Sequence, residues 1–232
     1  MNSPLVIGYK GEIGSFILNG LLRVMPKALD IWCVDVNETE EEVKERIAKS
    51  DTIFLCVPLR ITLGWILRYK DLLKGKTIIE QCSLKEWIYE ESRSCDLDIR
   101  SMHILFRPSQ TPDKADRRLG LFKGQFNDEM IEKLLAITDS YLVTYGDEKE
   151  HDKEMAIQQA LTHRTLLLLG ATLKGCNGST YISKKVIELA ERIGKGNVDL
   201  YKMIQENKHL EEHLERMERG LREFDIENYM VG

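Results

Sequence analysis

The sequence has 232 residues, of which 43% are hydrophobic and 31% charged, with a formal net charge of -5. This composition predicts a globular protein of one or two domains and, because no basic block is present, argues against a nucleic-acid partner. No stretch reaches the roughly 18 apolar residues of a membrane span, and the N-terminus lacks signal-peptide features, so we expect a cytoplasmic protein without a membrane partner. The five cysteines show no CxxC spacing and predict reduced thiols and no metal site.

Strand-like and helical segments alternate up to about residue 147. Apolar runs typical of strands occur, in chain order, at residues 3–7, 30–37, 51–59, 75–83 and 99–108. The polar stretch QTPDKADRRLG at 110–120 is expected to be a loop, and 129–146 is expected to hold a helix and a closing strand. This alternation predicts an α/β fold, with a Rossmann-like doubly wound parallel sheet and right-handed crossovers.

The segments after residue 147 have helical periods, so we expect a first domain at 1–147 and a smaller all-helical domain at 148–232. The stretch at 198–224 is expected to form one long helix with an apolar stripe. The stripe consists of Leu200, Met203, Ile204, Leu210, Leu214, Met217 and Leu221. Either a partner subunit in a homodimer or the earlier helices of the same chain would cover it.

A glycine-rich loop follows the first strand, in the stretch LVIGYKGEIGSF at 5–16. Gly11 and Gly14 occupy the second and third positions of a GxGxxG dinucleotide fingerprint, while Tyr9 stands at the first, so the tight turn would have to use Gly8, one residue earlier. The residues expected to hold the cofactor here are Gly8, Tyr9, Gly11, Glu12, Ile13 and Gly14. The alternative is that the glycines only form a strand-to-helix turn.

Asp35 ends the second strand, about 20 residues past Gly14, where a dinucleotide-binding domain places the carboxylate that takes the ribose hydroxyls. Its negative charge would repel a 2′-phosphate. The first domain is therefore expected to bind NAD in preference to NADP.

Several segments resemble the prephenate dehydrogenase family of the TyrA type, and the resemblance covers nearly the whole chain. The stretch EHDKEMAIQQALTH at 150–163 is its most specific element. SDTIFLCVPL resembles a family strand that ends in VP, here Val57 and Pro58, which we expect at the cofactor. EQCSLKEW resembles the family's D-x-T-S-V-K element, and MHILFRP resembles its M-H-P-M-F-G-P.

The resemblance implies oxidative decarboxylation of prephenate to 4-hydroxyphenylpyruvate in tyrosine biosynthesis, with NAD as the hydride acceptor. It implies that His103 accepts the proton of the ring hydroxyl and that Ser83 hydrogen-bonds nearby. It also implies that His163 and Arg192 line the substrate pocket. Since prephenate carries two carboxylates, we further expect Arg107 to bind substrate.

The sequence departs from the family pattern at Ile104, where the family has proline, and at Arg107, where it has glycine. Arg107 would either add a carboxylate clamp or fill the pocket. Alternatives therefore stay open: an arogenate dehydrogenase, a different dehydrogenase acting on a related acid, or a catalytically silent or regulatory protein that binds a nucleotide or an aromatic acid. Without the resemblance of MHILFRP to the family motif, His103 would be interpreted as a hydrogen-bonded core histidine.

Overall fold

The fold comes from a computed structural model that describes residues 1–25, 30–111, 113–176, 180–195 and 198–223. The chain divides into two compact units, Met1–His151 and Asp152–Gly232. The division lies a few residues beyond the expected end of the first domain at residue 147.

The described part of the first unit forms one sheet of seven strands, in the order β2-β1-β3-β4-β5-β6-β7. The strands are β1 (Pro4–Ile7), β2 (Trp32–Val34), β3 (Thr52–Leu55), β4 (Thr77–Glu80), β5 (Asp98–Ile104), β6 (Arg118–Phe122) and β7 (Tyr141–Tyr145). The chain passes from β1 to β2 on one side and then returns to place β3 on the other side of β1. Such a switch point forms a crevice at the carboxyl ends of the strands.

The helices of the first unit cover both faces of the sheet. They are α1 (Glu12–Val24), α2 (Glu40–Lys49), α3 (Leu59–Leu73), α4 (Glu86–Ser92) and α5 (Asp128–Thr138). One core cluster joins Val6 and Phe54 to Ile17 of α1 and Leu134 of α5. A second cluster, on the other face, joins residues of β1, β3 and β4 to α2 and α3. The central strands β1 and β3 are buried along their whole length because helices cover both faces of the sheet, which confirms the doubly wound Rossmann-like fold.

One part of the sheet was not expected. β6 begins within the stretch predicted to be a polar loop and lies outside the runs expected as strands. It pairs with β5 in antiparallel direction. β7 then pairs with β6 in parallel. The sheet is therefore mixed rather than wholly parallel. β6 belongs to the core because Leu119, Leu121 and Phe122 are buried, although it is preceded by charged residues.

The second unit is helical in its described residues. Its elements are the end of α6 (Glu148–Met155), a π-helix at Ala156–Leu161, α7 (Thr162–Lys174), α8 (Tyr181–Gly194), α9 (Val198–Gln205) and α10 (Leu210–Arg222). Nowhere in the described ranges is a helix both long and apolar enough to cross a membrane.

The prediction of one long helix at 198–224 is wrong, because a turn around Asn207 separates α9 from α10. The Asn207 side chain donates from Nδ2 to the carbonyl oxygen of Asp152 at 2.7 Å and accepts at Oδ1 from the backbone N–H of His209 at 2.9 Å. These bonds anchor the turn to α6 in a way that a continuous helix could not.

The apolar stripe is covered in part by the same chain. Ile204 and Leu210 are buried in a cluster with Ala160, against which Leu161 and Leu214 pack. The ends of the stripe stay open, with Leu200 41% and Leu221 70% exposed. Earlier helices thus cover the middle of the stripe.

Candidate active site

Gly8 makes the tight turn of the glycine loop. Its backbone N–H donates to the carbonyl oxygen of Val34 at 2.8 Å, and its φ of +79° lies in the left-handed region that favours glycine. A Cβ at this position would lie 2.5 Å from the carbonyl oxygen of Cys56. The loop thus follows the pattern GxxGxxG, in which the turn glycine is one residue earlier than in GxGxxG.

The other two glycines bring α1 close to the end of β1. Gly11 donates to the carbonyl oxygen of Gly8 at 3.0 Å and is the N-cap of α1, without a side chain that caps the helix. A Cβ on Gly14 would overlap that same oxygen. The first N–H groups of α1 therefore lie close to the carboxyl end of β1 and point into the crevice. A helix N-terminus in this position is the geometry that binds phosphate groups.

The Asp35 carboxylate lies beside the glycine loop. Its Oδ2 accepts from the backbone N–H of Lys10 at 2.9 Å, and its Oδ1 accepts from the N–H of Val36 at 2.9 Å. Asp35 directly follows β2, which neighbours β1 in the sheet. Two backbone N–H groups thus hold the carboxylate at the end of β2.

Glu12 connects the start of α1 to the segment after β5. One carboxylate oxygen accepts from the N–H and the hydroxyl of Ser109, at 2.9 and 2.6 Å, and the other accepts from Arg107 at 3.0 Å. Burial raises the pKa of Glu12, but the bonds from Ser109 and the Arg107 guanidinium outweigh it and lower the pKa. Arg107, expected to bind a substrate carboxylate, is held here by its Nε atom on the Glu12 carboxylate.

The remaining expected cofactor residues follow β1 and β3. Tyr9 and Ile13 are half-buried against the core cluster around α1 and α5. Val57 is half-buried against the other core cluster, and its carbonyl oxygen accepts from the hydroxyl of Thr62 at 3.1 Å. Pro58 is exposed and is the N-cap of α3.

His103 lies in β5, one strand beyond β4, and forms a buried pair with His151. The Nδ1 atom of His103 lies 2.9 Å from the Nε2 atom of His151. The two residues are 4% and 0% exposed. Because one nitrogen must donate and the other accept, the bond fixes complementary tautomers on the two rings.

Aromatic rings enclose His151. The ring centroids of Tyr145 and Phe122 lie 4.8 and 5.4 Å from that of His151. Gly120 faces His103 across the β5–β6 pair, and a Cβ there would lie 2.8 Å from Cε2 of Tyr145. The glycine thus leaves space for the tyrosine ring that packs on the histidine pair.

A buried ion pair lies beside the strand that carries His103. The Nζ atom of Lys85 lies 2.7 Å from Glu80 Oε1 and donates to the carbonyl oxygen of Met102 at 2.8 Å, and both charged side chains are 0% exposed. The other oxygen of Glu80 accepts from the N–H of Cys82 at 2.7 Å. These bonds fix the end of β4 to the backbone immediately before His103.

The histidine pair is held in the neutral form. Burial is the main cause that lowers the pKa of His103 well below 6.5, and the neighbouring His151 and Lys85 lower it further. Burial, followed by Lys85, lowers the pKa of His151 to about 2. Both imidazoles are therefore uncharged at neutral pH.

The remaining expected site residues are Ser83, His163 and Arg192. Ser83 is half-buried in the segment between β4 and α4 of the first unit. His163 and Arg192 belong to the second unit: His163 is half-buried in α7, where burial lowers its pKa, and Arg192 is exposed in the last turn of α8. Among the residues that the structure describes, no group of three or more His, Cys, Asp or Glu could hold a metal ion.

Three residues of this region were not singled out from the sequence: His151, Lys85 and Glu80. His151 belongs to the HD pair of the most specific family element, and the other two align with the lysine and the aspartate of D-x-T-S-V-K. Those matches were the available signal. A buried lysine is rare unless it is paired, and its partner could not be identified from local pattern.

No family model and no curated protein matches the sequence. Several solved structures are similar to it. Prephenate dehydrogenase from A. aeolicus, in complex with hydroxyphenyl propionate and NAD+, has a TM-score of 0.75 at 15% identity and covers 100% of this chain and 91% of its own. Another structure of the Aquifex aeolicus enzyme has a TM-score of 0.71 at 17% identity, covering 100% and 92%.

Arogenate dehydrogenase from Synechocystis has a TM-score of 0.62 at 17% identity, with 95% of this chain and 90% of that chain covered. These similarities extend over both units and agree with the resemblance found in the sequence motifs. The chain therefore has the fold of the prephenate and arogenate dehydrogenases.

Proposed function

We propose that the chain is an NAD-dependent dehydrogenase that oxidatively decarboxylates prephenate, or its amino analogue arogenate. The observation that carries the proposal is the neutral, buried His103 on the same sheet as a glycine loop and Asp35. A base and a dinucleotide cradle on one sheet are the two parts that oxidation of an alcohol requires. The fold shared with prephenate and arogenate dehydrogenases supports it.

The residues present fit a dinucleotide. Gly8 and Gly14 leave no room for a Cβ, as expected of the fingerprint glycines that make the tight turn and the close helix–strand packing, and Gly11 is the glycine at which the backbone would approach the pyrophosphate. Asp35 suits two ribose hydroxyls and disfavours a 2′-phosphate, and the charge of Glu12 near the phosphate site is balanced by Arg107. When bound, NAD would supply the hydride acceptor. The A. aeolicus structure with NAD+ supports this choice of cofactor.

His103 would act as the general base. In the competent tautomer, Nδ1–H of His103 donates to Nε2 of His151, so Nε2 of His103 carries the free electron pair and takes the hydroxyl proton of the substrate. The same hydrogen bond orients the ring and fixes the tautomer that leaves Nε2 able to accept the proton. His151 is thus a positioning residue, and the Lys85–Glu80 pair fixes the backbone from which His103 projects.

Arginines would bind the carboxylates of the substrate. Arg192 is exposed in the second unit and can form two parallel hydrogen bonds to a carboxylate. We propose that His163 also binds the substrate and that Ser83 forms a hydrogen bond near the reacting hydroxyl. Arg107, whose Nε donates to Glu12, would bind a substrate carboxylate through its terminal N–H groups.

The direct test is a panel of reactions. The purified protein is mixed with prephenate or arogenate and with NAD+ or NADP+, and the reduced nicotinamide is followed by its absorbance. We expect turnover with NAD+ and one of the two substrates. Nucleotide binding without turnover in any combination would instead indicate the catalytically silent homologue, and no binding at all would remove the proposal.

We also propose a homodimer formed through the helical unit, because Leu200 and Leu221 remain exposed at the ends of the stripe. Sedimentation velocity should give twice the mass of the 26.8 kDa chain. The double substitution Leu200→Glu/Leu221→Glu should yield monomers. A monomeric wild-type protein at micromolar concentration would contradict the dimer.

A further inference from the structure

The side-chain amide of Gln81 is buried without a partner. Both its Nε2 and its Oε1 atom are enclosed by protein and make no hydrogen bond. By contrast, Gln159 and Gln205 in the second unit each have only their side-chain oxygen buried without a hydrogen bond. Burying an amide in this way is costly, and an unpaired donor and acceptor on one group call for an explanation.

Rearrangement of the backbone does not offer Gln81 an easy partner, because its neighbours on both sides are anchored. Glu80 is held by the buried ion pair with Lys85. The N–H of Cys82 donates to Glu80 Oε2 at 2.7 Å. The amide is therefore held at the end of β4 by a rigid segment.

Gln81 lies in the middle of the carboxyl edge of the sheet. The strand register pairs Ile7 with Leu55, Leu55 with Glu80 and Glu80 with Ser101. One step beyond this row come Gly8, Cys56, Gln81 and Met102. Gln81 is thus two strand spacings, about 10 Å, from the turn of the glycine loop and one from the strand of His103.

We infer that Gln81 binds the carboxamide of the nicotinamide ring, an inference that rests on the proposed function. A primary carboxamide offers one acceptor oxygen and two N–H donors, which complement Nε2 and Oε1 of Gln81. A dinucleotide with its phosphates at Gly8 extends along this edge toward His103. The contact fixes the rotation of the ring and so selects which of its faces meets the substrate.

The test measures the affinity of three nucleotides for the wild-type protein and for Gln81→Met by titration calorimetry. The substitution keeps the length of the side chain and removes both of its polar atoms. NAD+ carries the carboxamide, 3-acetylpyridine adenine dinucleotide keeps the acceptor oxygen but lacks the N–H donors, and ADP-ribose lacks the ring. We expect Gln81→Met to weaken NAD+ binding about tenfold. The affinity for ADP-ribose should stay unchanged, and the preference of the wild-type protein for NAD+ over the acetyl analogue should disappear.

A second readout needs no nucleotide. Without ligand, Gln81→Met should raise the melting temperature, since it removes the unpaired amide. Equal weakening of NAD+ and ADP-ribose would assign Gln81 a structural role and overturn the inference, as would unchanged NAD+ affinity. A wild-type protein that binds ADP-ribose but gains nothing from the nicotinamide ring would also overturn it and leave the nucleotide site intact. Failure to bind either would overturn the proposed function itself.

Discussion

Acid is expected to destabilise the first unit, because His103 and His151 are buried in the neutral form. Burial lowers the pKa of both groups, that of His151 to about 2, whereas an imidazole in the unfolded chain titrates near 6.5. A depressed pKa in the folded state means that the unfolded chain binds more protons below pH 6.5. The stabilisation is therefore complete above pH 6.5 and is lost as the pH falls from there toward the folded-state pKa values.

The size of the effect follows from the linkage slope, which approaches about 1.36 kcal/mol per pH unit for each group. Between pH 6.5 and pH 5 each imidazole should lower the free energy of unfolding by about 1.6 kcal/mol, and the pair by about 3.2 kcal/mol. A loss of this size is a large share of the roughly 5–15 kcal/mol that stabilises a typical domain.

The substitution His151→Gln tests this value, because glutamine places an amide near the Nε2 position and removes one titrating group. Urea unfolding can be followed by tryptophan fluorescence, since Trp32, Trp65 and Trp87 all lie in the first unit. The variant should lose about half as much stability as the wild type between pH 6.5 and pH 5. His213→Gln, in α10, is the control for losing an imidazole elsewhere. The same pH dependence in the wild type and in His151→Gln would refute the neutral pair.

Further predictions concern the glycine loop, the ribose site and the base. Gly14→Ala should destabilise the protein by about 1–3 kcal/mol and reduce NAD+ affinity, because its Cβ would overlap the Gly8 oxygen. Gly11→Ala should lose much less stability, because its Cβ would lie 3.3 Å from that oxygen. Equal melting temperatures for the two variants would count against the close approach of α1 to Gly8. Asp35→Ser should shift the ratio of NADP+ to NAD+ affinity about tenfold toward NADP+, measured by titration; an unchanged ratio would remove Asp35 from the ribose site. In a pH–rate profile of kcat/KM, the limb assigned to His103 should fall well below pH 6.5, and a limb at 6.5 would mean that the imidazole is not desolvated.

The strand and helix pattern was sufficient to predict the doubly wound fold, because continuous apolar runs identify strands buried on both faces. The pattern was insufficient for β6. Charged residues at the start of this strand made its sequence look like a loop, although Leu119 and Leu121 are buried. Its pairing with β5 is set by tertiary structure. The break between α9 and α10 was missed for a similar reason. Asn207 ends α9 by bonding to a backbone group more than 50 residues away, which helical periodicity cannot reveal.

The candidate site was predictable where chemistry is local to a motif. Gly8 could be named as the turn glycine because only one glycine precedes Tyr9. The partner of His103 could not be named, since His151 is 48 residues away and meets it only through the fold. Glu12 could not be named as a partner of Arg107 either, since the two residues are 95 positions apart in the chain.

The most direct measurement is the initial rate of NADH formation from prephenate at pH 7, for the wild-type protein and for His103→Asn. Asparagine keeps a polar atom near the Nδ1 position and removes the nitrogen that would accept the proton. The account predicts a loss of about 10²–10⁴-fold, with NAD+ affinity and circular dichroism retained. A variant that forms NADH at the wild-type rate would contradict the assignment of His103 as the base.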